Sequence, residues 1–427
     1  MPIRNLNASQ KTKHTPAGEI PVEWESVRLR TVGDISYGLT VNQIRREQAK
    51  RLPCVTVSDF CQGRMSAEKA KLVGCLPGDT EKYALEPEDV LVVEGNGNPD
   101  IVGRATRWLQ SEEGAVLHQN HLLRIRLDRK RILPSLLVDW LNSEGCRRHL
   151  RPRIITSSGL NTLNSKSLGG CFVPLPPLPE QRRIAEILTT WDRAIEQTEK
   201  LIEAKKRLKK GLMQQLLTGK LRFPQFREQE TVLDEFPAGW QTLKAGELFV
   251  RSTERGSPDD PVLSVMQEGG VVRRDSIDRK ITATEGSTST YKRVLPGDFV
   301  ISLRSFQGGL EYSPLGGKVS PAYHVIRARK AIVDDFYRHF FKSYWFVGHL
   351  ATAVIGIRDG KQVSFGDFEF LRLPYPPLEE QDQIAKALGA ADANVQALTM
   401  QLEALKRQKK GLMQKLLTGA IRVRDLH

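Results

Sequence analysis

The sequence lacks the features that direct a protein into or across a membrane. Among its 427 residues there is no run of about 18 consecutive apolar residues, so a membrane span is not predicted. The first residues, MPIRNLNASQKTKH, have no apolar core and do not form a secretory signal. Hydrophobic residues make up 40% and charged residues 27% of the chain, so we expect a folded cytoplasmic protein.

Cysteine is also scarce and carries no metal or disulfide pattern. There are five cysteines, at Cys54, Cys61, Cys75, Cys146 and Cys171. Their wide spacing predicts reduced thiols rather than a zinc ribbon or a disulfide framework. His118 and His121 have no acidic or cysteine partner nearby in the sequence, so we expect no metal site there.

The motifs of common enzymes are missing as well. Gly316-Gly317-Lys318-Val319 lacks the leading glycine and the hydroxyl of a phosphate-binding P-loop, and no G-x-G-x-x-G opens a helix. G-x-S-x-G and H-E-x-x-H do not occur. The two Pro-Pro sites read LPPL and YPPL, unlike the Asn/Asp-Pro-Pro-aromatic motif of amino-methyltransferases. The pattern therefore predicts a binding protein without catalytic residues or a cofactor of its own.

Positive charge is in excess. Lys plus Arg number 64 against 50 Asp plus Glu, which gives a formal net charge of +14. Such a balance favours a polyanionic partner, nucleic acid first and an anionic membrane second. Between residues 101 and 153 eleven Lys or Arg face five Asp or Glu, which predicts a phosphate-binding surface.

A long internal repeat organises the chain. The 49 residues from Pro174 align without a gap with those from Pro374, at an offset of 200. The strongest match is KKGLMQ-x-LLTG, at 209–219 and again at 409–419, and a weaker one links Pro21-x-x-Trp24 with Pro237-x-x-Trp240. The chain is therefore predicted to hold two copies of one unit, each a variable globular segment followed by a helix.

Each repeat has the spacing of a coiled-coil seam. Nine of ten residues are apolar in the second copy at 384, 388, 391, 395, 398, 402, 405, 409, 412 and 416, and seven of ten in the first, at positions lower by 200. Because Thr198, Lys205 and Lys209 interrupt the first seam, a shifted stripe through Leu201 and Leu208 stays open. Gly219 and Gly419 are predicted helix stops. Ordinary bundle helices are the alternative, but two matched copies favour an antiparallel pair with the globular segments at opposite ends.

We therefore predict an α+β fold class with two mixed domains separated by two long antiparallel helices that form an intramolecular coiled coil. The predicted divisions are a tail at 1–19, domains at 20–173 and 223–373, and spacer helices at 174–222 and 374–427. Strands are expected at Asp89–Val93, Leu122–Leu127, Asp298–Leu303 and Tyr323–Arg327. Helical stretches are expected at Ser135–His149 and Asp334–Ala351.

Polar loops of both domains carry side chains that can pair with base edges. Arg, Asn and Gln can form bidentate hydrogen bonds with a base, and glycine permits close approach of the backbone. In the first domain the candidates are Asn96, Asn98, Arg104, Gln119, Asn120, Ser158 and Asn161. In the second they are Arg304, Gln307, Tyr323, Arg358 and Lys361. For any one of them, an ordinary surface turn is the competing interpretation.

Two variable segments alternating with helices that begin PLPPLPEQ or PYPPLEEQ and end KKGLMQ-x-LLTG resemble the specificity (S) subunit of type I restriction–modification enzymes. The resemblance covers nearly the whole chain. It implies that each domain is a target recognition domain that reads one half of a split, asymmetric site in double-stranded DNA. It also implies that the helices set the gap between the halves.

The resemblance further implies a non-catalytic subunit in host defence, with no membrane partner. Such a subunit recruits two modification (M) subunits and joins restriction (R) subunits. S-adenosylmethionine, ATP and Mg are then expected on those partners and not on this chain. Glu180, Gln181, Glu380 and Gln381, at the helix entrances, are implied to contact the M subunits.

Two other hypotheses stay open at this point. One is a self-sufficient DNA methyltransferase or nuclease with cryptic motifs, which would bind S-adenosylmethionine by itself. The other is a coiled-coil scaffold without a role on DNA, whose behaviour would depend on neither DNA sequence nor salt.

Overall fold

The protein is described by a computed structural model, which covers residues 11–61, 64–109, 114–157, 159–227, 232–233, 236–267, 269–277, 288–302, 305–353 and 363–423. It divides into two compact units. The first comprises Met1–Gln197 and Leu402–His427, and the second comprises Thr198–Gln401. Each unit therefore contains one globular segment, the start of one long helix and the end of the other.

The first unit contains short strands and helices before its long helix. Its strands are β1 (Thr12–Thr15), β2 (Gly18–Pro21), β3 (Glu25–Arg28), β4 (Gly33–Tyr37), β5 (Arg51–Val55), β6 (Phe60–Cys61), β7 (Arg64–Met65), β8 (Lys71–Gly74), β9 (Val90–Val93), β10 (Gly95–Asn96), β11 (Ala105–Arg107), β12 (Leu117–His118), β13 (Leu122–Leu127), β14 (Ile155–Ser157), β15 (Leu160–Thr162) and β16 (Phe172–Leu175). Its helices are α1 (Gln43–Arg46), α2 (Asp79–Tyr83), α3 (Pro134–Asn142), α4 (Glu144–Leu150), α5 (Ser165–Gly169) and the start of α6 (Leu178–Leu216).

An antiparallel sheet in the order β11-β9-β13-β4 forms the centre of the first unit. Strand β9 is wholly apolar and buried, as expected for a strand with both faces covered, and β13 has four apolar residues together with Arg124 and Arg126. Strand β16 pairs with β3, which brings the entrance of α6 next to Trp24. Strands β1 and β2 form a hairpin that begins at Thr12, so most of the described part of the predicted tail is folded. The boundary predicted between the tail and the first domain, at residue 20, lies inside this hairpin.

The second unit has a similar order of elements. Its strands are β17 (Val232–Leu233), β18 (Phe236–Pro237), β19 (Gln241–Lys244), β20 (Phe249–Ser252), β21 (Leu263–Met266), β22 (Gly270–Arg273), β23 (Lys292–Val294), β24 (Phe299–Ile301), β25 (Glu311–Tyr312), β26 (Gly317–Val319), β27 (His324–Ala328) and β28 (Arg372–Tyr375). Its helices are α7 (Ala245–Leu248), α8 (Ser305–Gly308), α9 (Asp334–Phe340), α10 (Tyr344–Ala353), α11 (Phe365–Glu369) and the start of α12 (Leu378–Leu417).

Here the central antiparallel sheet has the order β20-β27-β24-β25, and β19 pairs with β28 ahead of α12. The core is rich in aromatic rings, and Phe249 packs edge-on against both Phe299 and Tyr337. Edge-to-face packing of this kind adds to the stabilisation that burial alone provides. The two units thus share a framework but not a core composition.

The two long helices meet within each unit. In the first, Ile184 and Leu188 of α6 lie in one core with Leu416 and Leu417 of α12. In the second, Leu216 and Leu217 of α6 share a core with Ile384 and Leu388 of α12. The start of one helix therefore packs on the end of the other, which is the predicted antiparallel arrangement.

The predicted seam is confirmed, and the shifted stripe is wrong. Every seam position of α6 and α12 is buried or half-buried, including Thr198, Lys205 and Lys209. Leu201 and Leu208 are instead exposed. Gly219 and Gly419 follow the helices with φ of +70° and +71°, and each amide donates to a carbonyl of the last turn. Both predicted stops are therefore confirmed as left-handed caps.

Both predicted helical stretches are interrupted. The stretch over Ser135–His149 consists of two helices, α3 and α4, and that over Asp334–Ala351 also of two, α9 and α10. Ser143 caps α4 by accepting from the amide of Cys146 at 3.2 Å, and Ser343 does the same for Phe346. A serine side chain that satisfies the first amides of a new helix ends the preceding one.

With these changes, the α+β fold class predicted from the sequence is confirmed. Within the described ranges, no helix combines the length and the apolar character needed to cross a bilayer. The same residues contain no group of three or more His, Cys, Asp or Glu side chains placed to hold a metal ion.

Candidate nucleic-acid interface

In the first unit, the candidate loops converge on Glu94. Its amide donates to the carbonyl of His121, and its carboxylate lies 3.1 Å from Nδ1 of the His121 ring. Its carbonyl accepts from the amide of Leu163. The loops around residues 95–98, 119–121 and 157–162 are therefore brought together, although they are far apart in the sequence.

Asn96 and Asn98 are available at this convergence, whereas Asn161 is not. Asn98 is exposed and Asn96 is half-exposed. Asn161 is only 7% exposed, and its amide group donates to the carbonyls of Asn96 and Gly97 while its oxygen accepts from Thr156. The proposed base-reading role of Asn161 is therefore corrected to one of holding strands β10, β14 and β15 together.

Gln119 and Asn120 are half-buried beside a fixed histidine. His118 is fully buried and its Nδ1 donates to the carbonyl of Tyr83 at 2.9 Å. Burial lowers the pKa of His118 to about 4, so the ring is neutral at pH 7. Because His118 and His121 have different partners, they do not act as a pair, and His118 holds the loop that presents Gln119 and Asn120.

Most of the basic side chains between residues 101 and 153 make contacts inside the unit. The prediction that this stretch forms a phosphate-binding surface is therefore corrected. Nine of its eleven basic residues donate to carbonyls or carboxylates of the unit. Arg124 and Arg147 are buried and bind carbonyls only. Arg104 is half-buried and donates to the carbonyl of Asp100 at 3.2 Å. An excess of positive charge in the sequence is therefore not an excess of free cations.

Fewer candidates can be placed in the second unit. Gln307 is exposed on α8, and Tyr323 is half-buried just before β27. These two belong to different elements, and no contact joins them. Ser158 of the first unit and Arg304, Arg358 and Lys361 of the second lie outside the described residues.

The helix-entrance residues form a buried clasp in each unit. In the first clasp, Glu180 accepts from Trp24 Nε1 at 3.0 Å and from Nε and Nη2 of Arg422 at 2.6 and 2.7 Å. Trp24 precedes β3, Glu180 begins α6 and Arg422 follows α12. Burial opposes the charge of Arg422, but its bonds to Glu180 and Glu23 raise its pKa. One carboxylate thus connects three distant parts of the chain.

The second clasp repeats this geometry with different residues. Glu380 accepts from Trp240 Nε1 at 2.8 Å and from Nε and Nη2 of Arg222 at 2.8 and 2.7 Å. Both carboxylates are buried. Trp24, Trp240, Arg222 and Arg422 were not selected as site residues from the sequence, although the arginines end the 49-residue repeat. Their place in the repeat is the signal that could have identified them.

The two glutamines of the repeat connect the start of each long helix to the segment that precedes α3 or α9. Gln181 accepts from the amide of Leu133 and donates to the carbonyls of Arg131 and Pro176. Gln381 accepts from the amide of Val333 and donates to the carbonyl of Pro376. Glu180, Gln181, Glu380 and Gln381 are all buried with internal partners, so the prediction that they contact a partner chain is corrected.

A Lys–Asp ion pair marks the helix seam in each unit. Lys409 of α12 lies 2.6 Å from Asp192 of α6 in the first unit. Lys209 of α6 pairs with Asp392 of α12 in the second. These pairs explain why lysine is tolerated on the seam, because a partly buried ammonium group needs an acidic partner.

The globular segments place different titratable groups near these pairs. Burial raises the pKa of Asp139 to about 6, with Lys409 opposing and Asp192 adding to the shift. At the equivalent position, burial together with Arg338 and Lys209 lowers the pKa of His339 to about 4. The two units therefore have opposite titration behaviour at matched sites.

Comparison with known proteins agrees with this arrangement. Residues 21–206 and 238–407 match the family model described as Type I restriction modification DNA specificity domain. A specificity subunit of Methanocaldococcus jannaschii, assigned to the type I restriction enzyme MjaX, is 28% identical over 424 residues, 96% of this chain and 97% of that one. The EcoKI specificity subunit of Escherichia coli (strain K12) is 23% identical over 433 residues, covering 95% of this chain and 90% of its own length.

A solved chain, from a structure concerned with complex assembly and conformational transition of the type I R-M system, has the same fold. Its TM-score is 0.58 at 19% identity, over 94% of this chain and 99% of that one. The two copies of the family model together cover most of the sequence, and each contains one clasp glutamate. The chain belongs to the type I restriction modification DNA specificity domain family.

Proposed function

We propose that this chain is the DNA sequence-specificity subunit of a type I restriction–modification complex, with each unit reading one half of a bipartite, asymmetric site. The observation that carries the proposal is the repetition of one framework with two different sets of loops. Both units contain the same clasp and the same seam pair. Their loops and cores differ, as two readers of different half-sites require.

The first-unit reader is the loop convergence around Glu94. Asn96, Asn98, Gln119 and Asn120 present amide groups there, which can donate and accept toward base edges in the major groove. Arg104 follows Asn98 by six residues and is half-buried. In the second unit, Gln307 and Tyr323 are the described candidates. Ser158, Arg304, Arg358 and Lys361 remain predictions from the sequence.

Partner subunits are proposed to bind the exposed face of the long helices rather than the clasps. Leu208 and Met400 are 55% and 67% exposed, and Leu201 is also exposed. Large apolar side chains in water on a helix that already buries another face indicate a second contact surface. We propose that two M subunits use this face and that R subunits join through them.

The chemistry is proposed to belong to those partners. S-adenosylmethionine would be held by the M subunits, and ATP and Mg by the R subunits, so the isolated chain neither methylates nor cleaves DNA. This chain supplies recognition and spacing. Binding of S-adenosylmethionine to the isolated chain would instead support a self-sufficient methyltransferase.

The test is to co-express the chain with its M subunit and to map methylated adenines across a genome. The proposal expects one asymmetric motif with two specified parts and an unspecified gap, and no methylation from either protein alone. Methylation by the isolated chain, or a motif that is palindromic and ungapped, would contradict it.

The spacer role has its own test. Removing residues 195–201 together with 395–401 deletes a heptad from each helix and leaves both seam ion pairs in place. Seven residues correspond to ~10 Å of helix, or about three base pairs of DNA. The expected result is a gap shorter by about three base pairs with both half-sequences unchanged. A matched control keeps the full length of both helices and replaces Met400 by Leu. This variant should preserve the gap.

A further inference from the structure

The second unit contains a group of basic side chains without acidic partners among the described residues. Arg251 lies exposed on the edge strand β20, Lys292 begins β23 and His324 begins β27. Strand β20 pairs with β27 so that Arg251 faces Ile326, two residues from His324 on the same side of the sheet. Lys292 Nζ donates to the carbonyl of Tyr323 at 2.5 Å, which fixes it beside His324.

Among the described residues, the charges that shift the pKa values of Lys292 and His324 are positive. Burial and the nearby Arg251 lower the pKa of Lys292. Burial, Arg251 and Lys292 lower the pKa of His324, and its Nδ1 is enclosed without a hydrogen-bond partner among the described residues. An uncompensated set of like charges costs free energy in the unbound protein, and an anion placed beside it removes that cost.

Neighbouring cations in the same unit are satisfied, which makes this group distinct. Arg327 binds both oxygens of Asp298 at 2.8 and 3.0 Å and also pairs with Glu254. Lys318 donates to the carbonyls of Ser257 and Pro258. Those cations are used by the fold itself, whereas Arg251 has no contact with an acidic group in the part of the chain that the structure describes.

We propose that Arg251, Lys292 and His324 form a binding site for a backbone phosphate of DNA in the second unit. Arg251 makes the direct contact, Lys292 supplies positive potential beneath it, and the neutral ring of His324 lines the site without adding charge. This inference rests on the proposed function, since it identifies one contact of the same DNA-binding subunit. A phosphate contact positions the duplex and carries no base preference of its own.

The site is confined to the second unit. Arg126 in the first unit binds Asp89 as Arg327 binds Asp298, so the two strands that carry these arginines can be aligned. In that alignment Ile35, which faces Ile125, takes the place of Arg251, and Leu123 takes the place of His324. Two apolar side chains therefore stand where the second unit has a basic and a polar side chain.

The experiment measures binding of the full chain to double-stranded DNA by fluorescence anisotropy over a range of salt concentrations. Arg251→Gln is the test variant because its side chain is exposed, so the fold should tolerate the change. Arg273→Gln is the control, since it removes the same charge from a guanidinium that is already paired with Asp275 at 3.0 Å. Circular dichroism melting checks that both variants fold like the wild type.

Loss of one phosphate contact should reduce the slope of log K against log salt by about 0.9. We expect that change for Arg251→Gln, with equal weakening on cognate and unrelated DNA, and no change of slope for Arg273→Gln. At pH 8, where the lowered pKa leaves His324 neutral, His324→Gln should leave the slope unchanged.

An unchanged slope in a folded Arg251→Gln protein, while the wild type binds DNA, overturns this site and leaves the proposed function standing. A loss confined to cognate DNA also overturns it, because it would show a base contact. A wild-type chain that does not bind DNA, either alone or with its M subunit, overturns both.

Discussion

The buried clasp of the first unit permits a sharp stability prediction. Glu180 is buried and holds Arg422 through two hydrogen bonds and Trp24 through a third. Glu180→Gln keeps the shape but leaves Arg422 buried without its counter-charge. Breaking a buried ion pair by removal of one partner costs about 3–5 kcal/mol, so we expect a loss of that size in the free energy of unfolding.

A control acts on the same arginine. Glu23 is 57% exposed and contacts Arg422 Nη2 at 3.0 Å. Because exposed ion pairs contribute only ~0–1 kcal/mol, Glu23→Gln should cost no more than that. Each variant removes one negative charge from the same guanidinium, so the difference between them reports the burial of Glu180 together with its additional bonds to Arg422 and Trp24.

Urea unfolding of the full chain, followed by circular dichroism, measures both variants. With a slope of about 2–3 kcal/mol per molar urea, the first-unit transition of Glu180→Gln should shift down by roughly 1–2 M. Hydrogen exchange should become faster at residues 416–423, which the clasp anchors. If both variants unfold at the same urea concentration, the clasp does not hold this unit together and the reasoning is refuted.

Four further predictions concern the seam, two titratable groups beside it and a helix end. Reversing the charge of Lys209 or of Asp392 alone should destabilise the seam, and reversing both should recover that loss. A double-mutant cycle of urea unfolding should give a coupling energy of about 0.5–1 kcal/mol, and a coupling energy of zero would disprove the pair. Asp139 has a folded pKa raised to about 6, so its favourable contribution is complete below pH ~4 and is lost as pH rises through 6. Asp139→Asn should therefore gain stability relative to the wild type as pH rises from ~4 to ~6 in urea unfolding, with a constant difference above that range. His339, whose folded pKa is lowered to about 4, should make the second unit weaken as pH falls from ~6.5 to 4, and His339→Gln should remove that trend. Gly419→Ala places a methyl group 2.4 Å from Pro21 Cγ at a φ of +71°, so it should cost more than ~1 kcal/mol in thermal unfolding, and an unaltered melting temperature would contradict the cap.

The repeat made the helical part of this molecule predictable. Heptad spacing identified the seam that the structure buries, and the glycines after KKGLMQ-x-LLTG marked both helix ends. These features are local, because each depends on residues within a few turns. The breaks at Ser143 and Ser343 were missed because a serine in a helical pattern becomes a cap only when its side chain turns to the next amide.

The contacts between distant residues could not be predicted in the same way. Asn161 has the side chain of a base reader, but its position between β10 and β14 uses every polar atom inside the unit. Most arginines between 101 and 153 likewise donate hydrogen bonds to carbonyls and carboxylates that the fold brings from elsewhere. Conversely, Arg251 and His324 are more than 70 residues apart, and only the pairing of β20 with β27 makes them neighbours.

The clasps show how one repeat serves two domains. Glu180 and Arg422 close the first unit, whereas Glu380 and Arg222 close the second, so each repeat copy gives its glutamate to one unit and its arginine to the other. Loop sequences can then diverge in each unit without disturbing this shared framework. That separation between framework and loops is the physical basis for assigning one half-site to each unit.

The central claim is that the two units read DNA independently, and exchanging one globular segment tests it most directly. Residues 20–173 would be replaced by the corresponding segment of another specificity subunit, with both long helices retained, and methylated adenines would be mapped in the presence of the M subunit. The account predicts that one half of the site changes while the other half and the gap stay the same. A change in both halves, or in neither, would contradict it.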